Sequence, residues 1–183
     1  MDELMEDFGY VLDFLPTGKS MDRTREPVAQ IIGTKFFKLL EVTIKPEQKV
    51  SLEQKVSIGK VNRVEVDRIK TRLSVSELSN TARSELNPVL KKIVMEREAD
   101  FIGFFNKCGS VSIRLHQLEL LPGVGKKHLE EILSERERKP FVSFEDLKTR
   151  VPLLTDPASI IVQRINNEIT GIEKYYLFVK PPA

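Results

Sequence analysis

The apolar residues of this sequence change their spacing near residue 74, and that change restricts the fold more than any other feature. Residues 8–73 contain short runs rich in Val, Ile and Phe that are separated by Gly and Pro, a pattern typical of β-strands joined by turns. Beyond residue 74, apolar side chains recur every three or four positions, which is typical of amphipathic helices. Strands followed by helices, rather than alternating with them, predict an α+β fold.

The N-terminal part is expected to be a small antiparallel β-barrel or sandwich, because its strands are short and no helix separates them. We assign this domain to residues 1–80 and a helical domain to residues 81–183. The predicted strands are Tyr10–Leu15, Val28–Gly33, Phe36–Ile44, Lys55–Ile58 and Val61–Leu73.

Two local signals predict where the helical part begins. Ser74 and Glu77 have the spacing of a capping box, in which each side chain binds the other residue's amide. Asn87 followed by Pro88 predicts a helix start, with Asn87 as the N-cap and Pro88 in the first turn. The segment after Pro88 is expected to be helical up to Gly171, and Tyr175–Val179 is expected to be strand-like.

The segment Leu121-Pro122-Gly123-Val124-Gly125-Lys126 lies between two helical patterns and predicts a tight turn with chemistry of its own. Glycine has no Cβ, so a phosphate oxygen can approach the main-chain amides of this turn. The helix that begins near Gly125 directs its unpaired N–H groups and its positive dipole end at the same point. Lys126 and Lys127 add positive charge in its first turn.

This turn resembles the helix-hairpin-helix motif of DNA repair, replication and RNA-processing proteins, over residues 113–133. Residues 143–169 resemble a degenerate second hairpin, as in a paired helix-hairpin-helix domain. Its turn, residues 151–156, contains no glycine, and Leu153 and Leu154 hinder access of a phosphate to the backbone. We therefore expect the second hairpin to be structural.

Over nearly its full length the chain is similar to an uncharacterised archaeal family of predicted RNA-binding proteins. Members of that family join an N-terminal barrel resembling an OB-fold to a C-terminal helix-hairpin-helix region. The resemblance implies an RNA-side role, with ribosomal or translation-associated proteins as possible partners. The hairpin chemistry itself fits RNA and DNA equally, because it reads phosphates and not base edges.

The charge distribution adds a second candidate surface, in the barrel. Residues 31–75 carry ten basic side chains against five acidic ones, and such asymmetry favours a surface that faces a polyanion. Phe36 or Phe37 could stack on a base, because adjacent strand residues face opposite sides of a sheet. The candidate barrel contacts are Lys35, Lys38, Arg63, Arg68, Lys70 and Arg72.

No set of catalytic or metal-binding residues is predicted, so the chain is expected not to be an enzyme and to need no cofactor. Helix-hairpin-helix glycosylases place a catalytic Asp about twenty residues beyond the hairpin glycines, whereas here the first acids are Glu145 and Asp146, in a predicted first helical turn. Glu137-Arg138-Lys139 resembles a repair-nuclease motif, but Ser143 stands where that motif needs an Asp. With two histidines and one cysteine, Cys108, a zinc site would need carboxylates.

These patterns favour a protein that binds nucleic acid, RNA in particular, without sequence preference.

The sequence also predicts a cytoplasmic location. The single cysteine excludes an internal disulfide. No apolar stretch reaches the roughly 18 residues of a membrane span, and the acidic residues 1–7 lack the order of a signal peptide. The alternative is a protein-interaction adaptor in a ribosomal, transcription or repair complex, which would expose an apolar surface, for example on Tyr175–Val179.

Overall fold

A computed structural model describes residues 5–181, so part of the acidic N-terminal stretch lies outside the described residues. The chain divides into two compact units. Unit 1 contains the residues up to Val89 together with those from Glu168 onward, and unit 2 runs from Leu90 to Asn167. The C-terminal segment therefore groups with the strands, whereas the sequence-based boundary at residue 80 assigns it to the helical domain.

Unit 1 is built on a curled, five-stranded antiparallel sheet that forms a half-barrel. The spatial order is β4-β1-β2-β3-β5, so the first three strands form a meander and the last two pair with its edges. The α+β class is confirmed. The strands are β1 (Phe8–Leu15), β2 (Val28–Gly33), β3 (Leu39–Ile44), β4 (Lys55–Ser57) and β5 (Val66–Arg72).

Two of the predicted strands start later than expected, because a residue with positive φ interrupts the extended backbone in each. Phe37 has φ 57° and Asn62 has φ 61°, and neither value is compatible with a strand. Residues 34–38 are held instead as a turn around the buried carboxylate of Glu6, which accepts hydrogen bonds from the amides of Lys35 (2.8 Å), Phe36 (2.8 Å) and Lys38 (3.2 Å).

Strands β2 and β3 are buried on both faces. One face belongs to an apolar core that includes Ala29, Ile31 and Val42. On the other face, the buried Gln30 donates to the carbonyl of Glu77 and accepts from the amide of Ser79. Since both faces are covered, neither of these two strands offers an open surface to a ligand.

The helices of the described chain are α1 (Asn80–Glu96), α2 (Glu98–Lys107), α3 (Lys126–Arg138), α4 (Phe144–Arg150) and α5 (Pro157–Thr170). The predicted start at Asn87 is wrong, because α1 begins seven residues earlier. Ser79 precedes it and its hydroxyl accepts from the amide of Ala82 at 3.0 Å. Pro88 lies inside the helix and cannot donate a helical hydrogen bond. Burial of Leu86, Val89 and other apolar residues of the helix offsets the free energy lost with that bond. The expected pairing of Ser74 with Glu77 is present and precedes a single 3₁₀ turn, Val75–Glu77.

Two segments differ from their predicted secondary structure. The stretch before the glycine-containing turn, expected to be helical, forms a two-stranded ribbon, β6 (Ser110–Ser112) and β7 (Leu115–His116), and one 3₁₀ turn, Gln117–Leu120. Tyr175–Val179 is not a strand; instead, the carboxylate of Glu168 accepts three amide hydrogen bonds from residues 177–179. No helix between residues 5 and 181 is long and apolar enough to cross a membrane.

Candidate functional site

Residues 121–125, here called the glycine turn, join the 3₁₀ turn Gln117–Leu120 to α3 in unit 2. Two of its side chains are fixed in the core, since Leu121 is 2% and Val124 is 7% exposed. The amide of Val124 donates to the carbonyl of Leu121 at 3.2 Å. The turn is thus anchored by its apolar residues, and its two glycines are exposed to solvent.

The backbone conformation favours glycine at only one of the two positions. Gly123 has φ +76°, a left-handed conformation that other residues adopt at a cost. Gly125 has φ −95° and ψ −175°, which is ordinary extended backbone. A Cβ added at either position would meet no heavy atom within 4 Å. Neither backbone conformation nor internal packing therefore requires glycine at position 125.

Helix α3 begins without an anion of its own. Gly125 is the N-cap residue and carries no capping side chain, and the first turn contains no acid. Lys126 and Lys127 are both exposed there, although a helix N-terminus disfavours cations by about 0.3–1 kcal/mol each. This helix start is therefore positive from its amides, its dipole and two ammonium groups.

His128, in the first turn of α3, connects this helix start to a second turn of unit 2. Its Nδ1 lies 3.4 Å from the amide nitrogen of Gly125, and its Nε2 lies 3.1 Å from the carbonyl oxygen of Leu153. The amide donates to Nδ1, so Nε2 must carry the proton that is donated to Leu153.

The second turn, residues 151–156, follows the same plan as the glycine turn. Val151 and Leu154 are buried where Leu121 and Val124 are buried in the first, and the amide of Leu154 donates to the carbonyl of Val151 at 3.0 Å. Here an exposed leucine, Leu153, stands in place of Gly123. Of the two leucines expected to hinder a phosphate, Leu153 is exposed and Leu154 is buried.

The helix after the second turn, α5, is capped by the carboxylate of Asp156. Asp156 accepts from the amide of Ser159 at 3.0 Å and from the ammonium of Lys91 at 2.9 Å. Burial acts to raise the pKa of Asp156, but the hydrogen bonds from Ser159 and Lys91 outweigh it and lower the pKa to about 2. The carboxylate of Asp156 is therefore ionised at neutral pH.

Two arginines of unit 2 bind main-chain carbonyls, and sequence patterns did not single them out. Arg164 is 2% exposed and donates to the carbonyl of Leu120 at 2.7 Å. Arg136 donates to the carbonyls of Phe105 and Cys108 at 3.1 and 2.9 Å. One signal was available: Arg164 stands on the apolar face of α5, between Ile161 and Ile165.

The basic residues proposed in the barrel contact partners within unit 1. Lys70 pairs with Asp22 at 2.8 Å, and this hydrogen bond raises the pKa of Lys70 and lowers that of Asp22. Arg68 lies 3.2 Å from Glu26. Arg63 and Arg72 donate to main-chain carbonyls, at 2.6 Å from Gly59 and 2.7 Å from Lys180 respectively.

The remaining barrel candidates lie together on the turn between β2 and β3. The ammonium groups of Lys35 and Lys38 lie 5.0 and 5.7 Å from the ring centroid of Phe36, in the cation–π range. Phe36 is partly exposed, whereas Phe37 is 1% exposed and belongs to the core. Of the two aromatic residues, Phe36 alone has an accessible ring.

The residues considered for catalysis or metal binding are buried or hydrogen-bonded within unit 2. Cys108 is buried, and burial raises the pKa of its thiol. Burial lowers the pKa of His116, whose Nδ1 accepts from the amide of Leu118 at 3.1 Å. Asp146 accepts from the amide of Val142 at 3.1 Å and lies 3.2 Å from Arg150. Within residues 5–181 no three His, Cys, Asp or Glu side chains are grouped to hold a metal ion.

Comparison with known proteins gives one family and two relatives. The family described as "Protein of unknown function (DUF655)" matches residues 5–180. An uncharacterized protein of Methanocaldococcus jannaschii, MJ0038, is 40% identical over 177 residues, which cover 96% of this chain and 80% of the relative. The crystal structure of Af1531 from Archaeoglobus fulgidus, 43% identical, superposes with a TM-score of 0.89 and covers 96% of this chain and all of that one.

Proposed function

The chain belongs to the DUF655 family, and we propose that it binds nucleic acid by holding a backbone phosphate at the glycine turn. The observation that carries this proposal is Gly125, where glycine is required neither by the backbone angles nor by packing within the protein. An external group that approaches the main chain supplies the missing reason. In this proposal residues 113–133 act as a helix-hairpin-helix unit whose first helix is reduced to one 3₁₀ turn.

The electrostatics of the helix start favour an anion with several acceptor oxygens. Amides at a helix N-terminus bind phosphate through hydrogen bonds that are charge-assisted. Lys126 and Lys127 in the same turn are unfavourable without an anion and favourable with one. Buried Leu121 and Val124 and Pro122 keep the turn rigid, so few degrees of freedom are lost on binding.

Phosphate contacts position a protein on nucleic acid without reading sequence, so we propose recognition that is largely independent of sequence. RNA is the favoured polymer, with ribosomal or translation-associated proteins as further partners, in line with the implied role of the family. The barrel, which we take to be OB-like, would contribute through the Lys35–Lys38 turn and Phe36. Arg63, Arg68, Lys70 and Arg72 would act mainly by stabilising unit 1, because their donors are used there.

The residues of unit 2 support a binding function rather than an enzymatic one. Asp146 and Glu145 belong to the first turn of α4, and Asp146 is engaged by Val142 and Arg150. The tail gives the adaptor alternative one exposed apolar side chain, since Tyr175 is 37% exposed, whereas residues 176–178 are partly covered and Val179 is buried.

A salt titration tests this proposal. Binding of the full chain to a structured RNA, a DNA duplex and single strands is measured against salt concentration. If about four phosphates are neutralised, the logarithm of affinity falls against the logarithm of salt with a slope of roughly −3 to −4. A variant with Lys126→Ala and Lys127→Ala is expected to lose about two units of that slope.

The matched control replaces Lys107 and Lys148, two exposed lysines of unit 2 that lie in the last turns of α2 and α4. It is expected to keep the wild-type slope. An equal loss in both double variants would mean that the charge of unit 2, and not the glycine turn, attracts the polymer. If the wild type binds none of the probes near physiological salt, the adaptor function takes first place.

A further inference from the structure

The ribbon that precedes the glycine turn ends in two residues that contact no core. Strands β6 and β7 pair antiparallel and reverse direction at Ile113 and Arg114. Ile113 is 105% exposed, and Arg114 is exposed beside it. The side chain of Ile113 is therefore fully accessible, and burying it against a ligand would be favourable.

A groove of about 470 Å³ separates this ribbon from the first turns of α3. Its walls include Ser112 and Arg114 on the ribbon side and Lys126 and Glu130 on the helix side, with Glu119 between them. Lys126 belongs both to the groove and to the first turn after Gly125. The groove therefore extends to the residue that follows Gly125 in the chain.

The charges in the groove indicate which part of a nucleotide it accepts. Two cations face two carboxylates, and the carboxylate of Glu119 accepts from the amide of His116 at 2.8 Å. A second phosphate would be repelled by Glu119 and Glu130. Sugar hydroxyls and base edges, which both donate and accept, match a lining of hydroxyl, carboxylate and cationic groups.

We propose that this groove binds the nucleoside next to the phosphate held at the glycine turn, with Ile113 packed on the face of its base. Apolar side chains are used in this way at exposed or unstacked bases. A base inside a continuous duplex has no free face, so the nucleoside must be unpaired. The inference rests on the proposed function and adds to it a preference for the junction between a duplex and a single strand.

The test compares two RNA probes, a blunt duplex and the same duplex with a short single-stranded extension. The wild type is expected to bind the extended probe more tightly, by roughly tenfold, the value of burying one branched apolar side chain. Ile113→Ser is expected to remove this difference, so that the variant binds the two probes with equal affinity. Because position 113 is fully exposed, we expect Ile113→Ser to fold as the wild type does, and a thermal melt checks this.

The matched control is Val142→Ser, since Val142 is also an exposed apolar residue of unit 2, 70% accessible. It is expected to behave as the wild type on both probes. Equal affinity of the wild type for both probes, or an equal change of both in Ile113→Ser, would overturn the groove assignment.

Gly125→Asp separates this inference from the function on which it rests. If Gly125→Asp weakens binding to both probes while Ile113→Ser changes neither, the phosphate site stands and the groove assignment fails. If Gly125→Asp binds both probes as the wild type does, the proposed function itself fails.

Discussion

The two turns of unit 2 share a pattern of buried residues and one backbone hydrogen bond, and they differ in how the helix after each is capped. Each turn buries two apolar residues and carries a proline between them. The second ends in Asp156, whose carboxylate accepts from Ser159 and Lys91. The first ends in Gly125, followed by two exposed lysines.

This difference separates a requirement of folding from a requirement of binding. The second turn shows that a helix in this setting can be capped by an ordinary carboxylate, which stabilises the fold by about 1 kcal/mol. At the glycine turn that stabilisation is absent, and like charge is placed at the helix start. When a helix start lacks a stabilising cap, we expect a ligand to supply the missing interaction.

The largest expected effect comes from giving the first turn the cap of the second. Gly125→Asp is expected to weaken binding to structured RNA by at least about tenfold, because a carboxylate would occupy the amides and repel phosphate. The same substitution is expected to leave the free energy of unfolding unchanged or to raise it by a few tenths of a kcal/mol, since Asp is a good N-cap. Filter binding and denaturant unfolding measure the two quantities.

Gly125→Asn is the matched control, because it can also cap the helix but adds no charge. It is expected to weaken binding less than Gly125→Asp does. If both quantities fall together in Gly125→Asp, the loss of binding reflects damage to the fold, and the contrast between the turns loses its meaning.

A smaller effect, on stability alone, is expected from the second turn. Asp156→Ala removes the cap and is expected to lower the free energy of unfolding by about 1 kcal/mol at neutral pH. Because its pKa lies at about 2 in the fold, below the ordinary 3.8, Asp156 stabilises the protein above pH 3.8 and loses this effect as pH falls toward 2. The difference between wild type and variant should therefore shrink across that window.

Binding of RNA by Asp156→Ala, measured at neutral pH, is expected to equal that of the wild type. A large loss of affinity there would assign a binding role to the second turn, against the view that it is structural. Denaturant unfolding at a series of pH values provides the other half of this comparison.

Local signals in the sequence predicted much of this molecule. Val28–Gly33 is a strand as expected, and Gly125 precedes a helix as expected. These features depend on residues close together in the chain. The predicted helix start at Asn87 also used a local signal, and it was wrong because the cap at Ser79 and a buried apolar face extend α1 through Pro88.

The features that sequence reasoning missed depend on contacts between distant residues. Glu6 accepts hydrogen bonds from the amides of Lys35, Phe36 and Lys38, and this turn takes the place of the first predicted strand residues, so that β3 begins at Leu39. Arg164 reaches the carbonyl of Leu120, 44 positions away. The pairing of Lys70 with Asp22 likewise joins a predicted ligand-binding strand to a distant loop. The partner of a charged side chain cannot be predicted from the sequence when the two residues are far apart in the chain.

The amide groups at the start of α3 provide the most direct test of the central claim, that this helix start is left open for an external phosphate. The measurement is a titration of the full chain with a short RNA, followed through the NMR shifts of individual backbone amides. We expect the amides of Lys126, Lys127 and His128 to shift early and strongly, and those of Ala158 and Ser159, after the self-capped turn, to stay in place. If RNA binds and the amides of Lys126, Lys127 and His128 do not respond, the phosphate is held elsewhere and the account is wrong.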